Sequence, residues 1–371
     1  MKKKIMTVFG TRPEAIKMAP LVKLLQKSDE FEVKVCVTAQ HRQMLDMVLE
    51  LFAIEPDYDL DIMQHGQTIT DITSRVIKGM EEVLKAEKPD MLLVHGDTTT
   101  TFASALAAFY QKVPVGHVEA GLRSGNKYSP YPEEMNRMLT TSISELYFAP
   151  TQGNRENLLK ENIADYKIAV TGNTVIDALM SVIKKDYSFG ENLDAVDFEN
   201  KKVVLLTCHR RENWGEPMAN IFRAVRRLVD GHKDVEVVFP IHMNPNIRKM
   251  ASEILSGSER IHIIEPLDYE PFANLIDKCH IVMTDSGGIQ EEAPALGKPV
   301  VVMRTETERP EAVEAGTVKI AGVLEEDVYN AAALLIEDEA EYLKMAKAVN
   351  PYGDGTACEK INKKLIEFFY N

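Results

Sequence analysis

The chain has 371 residues, with 57 acidic against 43 basic side chains, four cysteines and one tryptophan. At about 150 residues per domain this length implies two domains, and the formal charge of −14 leaves no basic footprint for nucleic acid. No apolar run approaches the roughly 18–20 residues that cross a bilayer. The stretch that follows Lys2, Lys3 and Lys4 stops at Gly10, short of the about 7–15 apolar residues of a secretory core. Cys36, Cys208, Cys279 and Cys358 are dispersed and form no CxxC, so neither a disulfide framework nor a zinc knuckle is indicated, and a cytoplasmic protein is expected.

In chain order, short β-branched runs predict strands at residues 5–9, 33–38, 91–95, 113–118, 146–149 and 168–171. Helical spacing of apolar residues lies between them, notably over 14–26 and 70–85. A less regular stretch, 186–202, carries Gly190, Asn192 and several acids. The pattern then restarts, with strands at 203–208, 235–241, 262–264, 280–284 and 299–303, a helix over 219–229 and a last helix over 356–369. Several strands are nearly continuous in Val, Ile and Leu, as when helices cover both faces of a parallel sheet. Strand–helix alternation of this kind builds α/β units with right-handed crossovers. The expected architecture is α/β: two doubly wound Rossmann-like domains, 1–172 and 173–355, hinged near Gly172 and Asn173, with the helix 356–371 packing back on the first.

In such folds ligands bind beyond the carboxyl ends of the strands, where helix N-termini point. At residues 10–17, Gly10 permits a tight turn, Pro13 suits a first helical turn, and Arg12 and Lys17 flank free backbone amides, an arrangement that fits a phosphate better than a plain helix start. Asp97 and Glu119 follow two later strands. Either acid alone reads as a helix cap, but two at neighbouring strand ends fit acid/base work or recognition of sugar hydroxyls. Glu133 and Glu134 open another helix, where complementing the helix dipole is an equally good account. His209, Arg210 and Arg211 form a cationic cluster after the second domain's first strand. Cys208 beside His209 is no nucleophile pair, because adjacent strand residues point to opposite faces. At Ser286, Gly287 and Gly288 small side chains let backbone amides approach a diphosphate, and Glu292 in the following helix suits a ribose diol. The absence of GxGxxG, of GxxxxGK[ST], of a PCxxC after the HxE at His117 and of HExxH argues against nicotinamide, flavin, P-loop and zinc chemistry, so no cofactor or metal is expected.

GTRPEAIK (10–17), HGDTTTT (95–101), HVEAGLRS (117–124), YSPYPEEMNR (128–137), HRREN (209–213), TDSGGIQEEAP (284–294), TERPEAVEAGT (307–317) and NPYGDG (350–355) together resemble the bacterial non-hydrolysing UDP-N-acetylglucosamine 2-epimerases, in the family's order and over essentially the whole chain. The resemblance implies the GT-B fold, with UDP held mainly by the second domain and the sugar in an interdomain cleft. It implies a reversible exchange of UDP-GlcNAc and UDP-ManNAc, without cofactor, by elimination of UDP to 2-acetamidoglucal and re-addition, supplying cell-surface polysaccharide. By the same resemblance Asp97, Glu119 and Glu133 are the acid/base residues and His209 assists at the diphosphate. Arg12 and Lys17 contact phosphate or stabilise the UDP-bound form, Ser286, Gly287 and Gly288 hold the diphosphate, Glu292 the ribose, Phe272 packs near the uracil and Arg309 lies by the nucleotide. A second, activating UDP-GlcNAc site maps to Gln40, Gln43, Glu133, Arg210 and His242, and a homodimer is implied. Gly66 and Leu267 stand where some relatives have Arg and Gln. The competing readings are a GT-B glycosyltransferase, a hydrolysing epimerase and a non-catalytic UDP-sugar sensor.

Overall fold

The computed structural model describes residues 2–40, 42–190 and 193–370 and divides into two compact units. The first runs to Ser181 and resumes at Tyr352; the second is Val182–Pro351. Residues 173–181 and 352–355, expected in the second domain, therefore belong to the first unit. The irregular stretch expected at 186–202 includes Glu191 and Asn192, which lie outside the described residues.

In the first unit β1 (Lys3–Phe9), β2 (Phe31–Val37), β3 (Tyr58–Asp59), β4 (Met91–His95), β5 (Val115–Val118), β6 (Leu146–Ala149) and β7 (Ile168–Val170) form one sheet in the order β3-β2-β1-β4-β5-β6-β7. In the second, β8 (Lys202–Thr207), β9 (Val235–Pro240), β10 (Ile261–Ile264), β11 (Ile281–Thr284), β12 (Val300–Val302) and β13 (Val318–Ile320) are ordered β10-β9-β8-β11-β12-β13. Every pairing in both sheets is parallel. The short strands β3 and β13 are the two that the sequence pattern misses. Both are edge strands of two or three residues, too brief for periodicity to register.

Burial accounts for the strand sequences. All five residues of β4 are buried, because helices cover both of its faces. The helix Glu216–Gly231 shows the complementary pattern: Met218, Ile221, Phe222, Val225, Leu228 and Val229 recur at helical spacing and form the core with Val204, Leu206 and Phe239 of the sheet. The last helix, Ala357–Tyr370, packs on the helix Arg12–Gln26, and its first turn is held by Asp177, whose carboxylate accepts the amides of Ala357 at 3.2 Å and Cys358 at 2.8 Å.

In each sheet one strand has its successor on one side and a later strand on the other: β1 lies between β2 and β4, and β8 between β9 and β11. Chains leaving such a pair diverge and open a crevice at the carboxyl ends. Gly10 sits at the first of these points. A Cβ there would lie 2.0 Å from Thr38 Oγ1 and 2.7 Å from Thr100 Oγ1, two hydroxyls that hydrogen-bond each other at 2.9 Å. Gly10→Ala is expected to lower stability by about 1–3 kcal/mol, the usual cost of overpacking, in urea unfolding; an unchanged midpoint would show that the turn can yield.

Candidate active site

At the first switch point the chain leaves β1 through Gly10 and Thr11 into the helix Arg12–Gln26. Glu14, in that helix's first turn, is buried and bends back. Its Oε2 accepts the amide of Gly10 at 3.0 Å and the amide and hydroxyl of Thr11, each at 2.8 Å. Its Oε1 faces the neighbouring turn after β4, accepting the hydroxyls of Thr98 at 2.6 Å and Thr101 at 3.1 Å. Burial pushes the Glu14 carboxyl upward, against the hydrogen bonds from Thr98, Gly10 and Thr11. The free amides expected over residues 10–17 are thus partly committed: the chain's own carboxylate occupies those of Gly10 and Thr11. Arg12 remains, half-buried and without an ion pair or hydrogen bond among the described residues.

Lys17, one turn further on, pairs through Nζ with Oε2 of Glu119. Glu119 follows β5 with φ of 61°, a left-handed conformation rare outside glycine and found where a side chain must be aimed. The same Oε2 accepts Asn173 Nδ2 at 2.9 Å and lies 3.7 Å from Nε2 of His95. That buried nitrogen makes no hydrogen bond, and burial takes the His95 imidazole down to about 3, so it is neutral at physiological pH. His117, from β5, donates through Nε2 to the Gly96 carbonyl at 2.7 Å and is lowered to about 4, again chiefly by burial. The β4–β5 register pairs His95 with Val118, which sets Glu119 level with Gly96 and Asp97 one residue beyond.

Asp97 pairs with Arg137 (2.6 Å), and its carbonyl accepts Asn136 Nδ2 at 2.9 Å. Arg137 also binds Glu134 at 3.0 Å, and Glu134 accepts the amides of Ser124 and Gly125, each at 3.0 Å. Burial would raise the Glu134 carboxyl, but Ser124, Arg137 and Gly125 together hold it below its ordinary value. The two acids that look interchangeable in the sequence separate here. Glu134 is buried and fully committed to holding the loop and Arg137. Glu133 is half-buried and makes no ion pair or hydrogen bond among the described residues. Of the remaining expected residues in this unit, Gln40 accepts the Thr100 hydroxyl at 3.1 Å and Gln43 is exposed.

The second unit is built on the same plan. Asp285, just past β11, is fully buried, and its Oδ2 accepts the amides of His209 at 2.9 Å and Arg210 at 2.8 Å from the turn after β8. Its Oδ1 lies 3.2 Å from Nδ1 of the half-exposed His209. Burial opposes the charge on Asp285, but His209 and the Arg210 amide outweigh it and keep the carboxyl below its ordinary range. The His209 ring stacks on His242, centroids 5.9 Å apart and 15° between planes. Cys208 is buried, and burial followed by Asp285 pushes its thiol well above the ordinary value, which removes it as a nucleophile.

Ser286, Gly287 and Gly288 lead into the helix Ile289–Ala295. The Ser286 amide is taken by Thr284 Oγ1 at 2.9 Å. A Cβ on Gly287 would lie 3.7 Å from Arg210 Nη2 and 4.0 Å from Arg309 Nη2, so two guanidinium tips converge over this glycine. Arg309 pairs with the buried Glu291, and Glu292 accepts the Tyr269 hydroxyl at 3.2 Å. Phe272 is half-buried in the helix Tyr269–Lys278 that Tyr269 begins. Arg304 binds Glu212 at 2.7 Å, and Glu308 lies 3.6 Å from both Arg304 and Arg210. Glu14, Asn173, Asp285, Arg137 and Arg304 are the residues that sequence reasoning passes over. Three of them lie inside the quoted motifs, but their partners are distant in sequence.

Two all-parallel Rossmann-like units, with carboxylates beside neutral histidines in one and guanidinium groups over a Gly–Gly turn in the other, define an α/β protein of the GT-B class with the makings of a diphosphate site. A family model described as UDP-N-acetylglucosamine 2-epimerase matches residues 23–366, and the chain belongs to this family. It is 57% identical to the UDP-N-acetylglucosamine 2-epimerase of Bacillus subtilis over 367 residues, covering 99% of this chain and 96% of that one. With the enzyme of that name from Escherichia coli K12 it shares 53% over 369 residues, 98% of each chain. The crystal structure of UDP-GlcNAc 2-epimerase from Neisseria meningitidis bound to UDP-GlcNAc superposes with a TM-score of 0.87 at 52% identity, covering 98% of this chain and all of that one.

His95 and His117 make stability depend on pH. Unfolded imidazoles titrate near 6.5, whereas these resist protonation until about 3 and about 4. Between these limits the unfolded state binds more protons, so the stabilisation is complete above about 6.5 and is lost as the pH falls, by up to about 1.4 kcal/mol per pH unit for each imidazole. Urea midpoints measured from pH 7 to pH 5 should fall in the native chain and fall less in a His95→Gln/His117→Gln variant. Equal slopes would remove the histidines from the acid response.

Proposed function

We propose that the chain interconverts UDP-GlcNAc and UDP-ManNAc by elimination and re-addition of UDP. A proton leaves carbon 2 to a carboxylate while the bond from carbon 1 to the diphosphate oxygen breaks, its electron pair going with UDP and a double bond forming between carbons 1 and 2. Return of a proton to the other face of carbon 2 and re-addition of UDP at carbon 1 complete the epimerisation. The observation that carries this reading is the pair of acids at the ends of adjacent strands β4 and β5, each beside a cation: Asp97 with Arg137 and Glu119 with Lys17. They supply acid/base groups, and the uncommitted Glu133 supplies a third. His209, whose Nδ1 faces Asp285 at 3.2 Å, assists the departing diphosphate, together with Arg309 and the turn at Ser286, Gly287 and Gly288. Glu292 holds the ribose, Phe272 lies against the uracil and Arg12 adds positive charge. No step calls for a metal or a redox cofactor, and no group of acids, histidines and cysteines with metal-binding geometry occurs among the described residues.

The Neisseria relative was solved with UDP-GlcNAc bound, which supports the substrate. UDP-GlcNAc as activator, acting through Gln40, Gln43, Glu133, Arg210 and His242, belongs to the same proposal, as do a homodimer and a cytoplasmic location. No helix of the described residues is long and apolar enough to cross a membrane.

Incubation with UDP-GlcNAc alone in heavy water, followed by proton NMR, should yield UDP-ManNAc deuterated at carbon 2. Free ManNAc and UDP would instead define a hydrolysing enzyme, and an unchanged spectrum would overturn the epimerase reading. Asp97→Asn and Glu119→Gln are each expected to lower turnover by about 10²–10⁴-fold while UDP binding by calorimetry persists; full activity in both would exclude these carboxylates. The rate should rise sigmoidally with UDP-GlcNAc, and Arg210→Ala should blunt the curvature. A hyperbolic native curve would rule out the activator site.

A further inference from the structure

We propose that Glu14 is a positioning residue for the epimerisation, a buried carboxyl whose two oxygens set the spacing between the turn that carries Arg12 and the turn that carries Asp97. The inference rests on the epimerase reading given above. Oε2 gathers the Gly10 and Thr11 amides and the Thr11 hydroxyl, all from the turn after β1. Oε1 gathers the Thr98 and Thr101 hydroxyls, both from the turn after β4. These turns belong to adjacent strands at the switch point and part in opposite directions. Asp97 is one residue before Thr98, and Arg12 one residue after Thr11. A shift of either turn moves a charged group of the site, and a misplacement of about 1 Å costs on the order of 10²-fold in rate.

The donors also say which chemistry Glu14 must retain. Amides cannot invert, so an oxygen is required at Oε2. Hydroxyls can rotate. With a glutamine amide nitrogen at the Oε1 position, Thr98 would accept from it and donate to Thr101 Oγ1, 3.1 Å away. Thr101 would then donate to the His95 carbonyl, which it already reaches. Glu14→Gln therefore keeps the bridge, whereas Glu14→Ala loses it.

The test is steady-state kinetics with UDP-GlcNAc on both variants, with thermal midpoints and the rate of deuterium entry at carbon 2. For Glu14→Ala, kcat and deuterium entry should each fall about 100-fold, with KM within about threefold of native, at a temperature well below the variant's midpoint. Glu14→Gln should restore kcat to within about threefold. Native kcat in a folded Glu14→Ala would overturn the proposal, as would Glu14→Gln being as slow as Glu14→Ala, since charge rather than spacing would then matter. Should Glu14→Ala not fold, Thr98→Val removes one anchor of Oε1 and should lower kcat in the same direction, about tenfold; native kcat there would equally overturn it. Failure of the native chain to epimerise would instead reject the reading on which the proposal rests.

Discussion

A buried carboxylate clasping two neighbouring turns is the interaction on which the switch point of each unit depends. Parallel strands at a switch point send their chains apart, and nothing in the sheet's own hydrogen bonding fixes the distance between the loops that follow. Glu14 does so after β1 and β4, and Asp285 after β8 and β11. In each case the carboxylate is almost fully buried and is surrounded by donors from a neighbouring segment. A carboxylate buried without such partners would cost several kcal/mol. The same donors make it a rigid fixture: the geometry that satisfies its oxygens also specifies where the two turns lie.

Around these fixtures, burial sorts chemically similar side chains into different tasks. Glu134 and Glu291 are sealed against Arg137 and Arg309, and each spends its charge on holding an arginine. Glu133 stays open. His95 and His117 are neutral because they are sealed, whereas His209 is half-exposed with one nitrogen turned toward Asp285. A proton can pass only to a group that a ligand can reach, so in the proposed reaction the open members of these pairs are the candidates for that task. A low-dielectric surround also strengthens the ion pairs of Lys17 with Glu119 and Arg137 with Asp97.

Much of the fold is legible in the chain because it rests on local patterns. The strands Met91–His95 and Leu146–Ala149 fall where their apolar runs end, since a strand covered on both faces must be apolar throughout. The division between the units is less legible. The helix Thr174–Val182 looks in sequence like the start of a second domain, yet Asp177 caps the C-terminal helix and keeps residues up to Ser181 with the first. The site shows the same limit. Arg12 reads as part of a phosphate-binding helix start, but the carboxylate that takes the adjacent amides is a glutamate whose helical neighbours give no hint of its direction.

By itself, then, the sequence determined the α/β class, the two-unit plan, the strand ends at which polar residues collect and, through its linked motifs, the epimerase family. Periodicity, turn residues and motif order are properties of the chain, and they survive without coordinates. Only the tertiary structure decided which acid of a pair is buried, that Lys17 meets Glu119, and that Asp285 stands behind His209. Those outcomes depend on which side chains converge from segments tens to a hundred residues apart. Desolvation and hydrogen bonding then assign each group its charge and role, and neither can be read from neighbours along the chain.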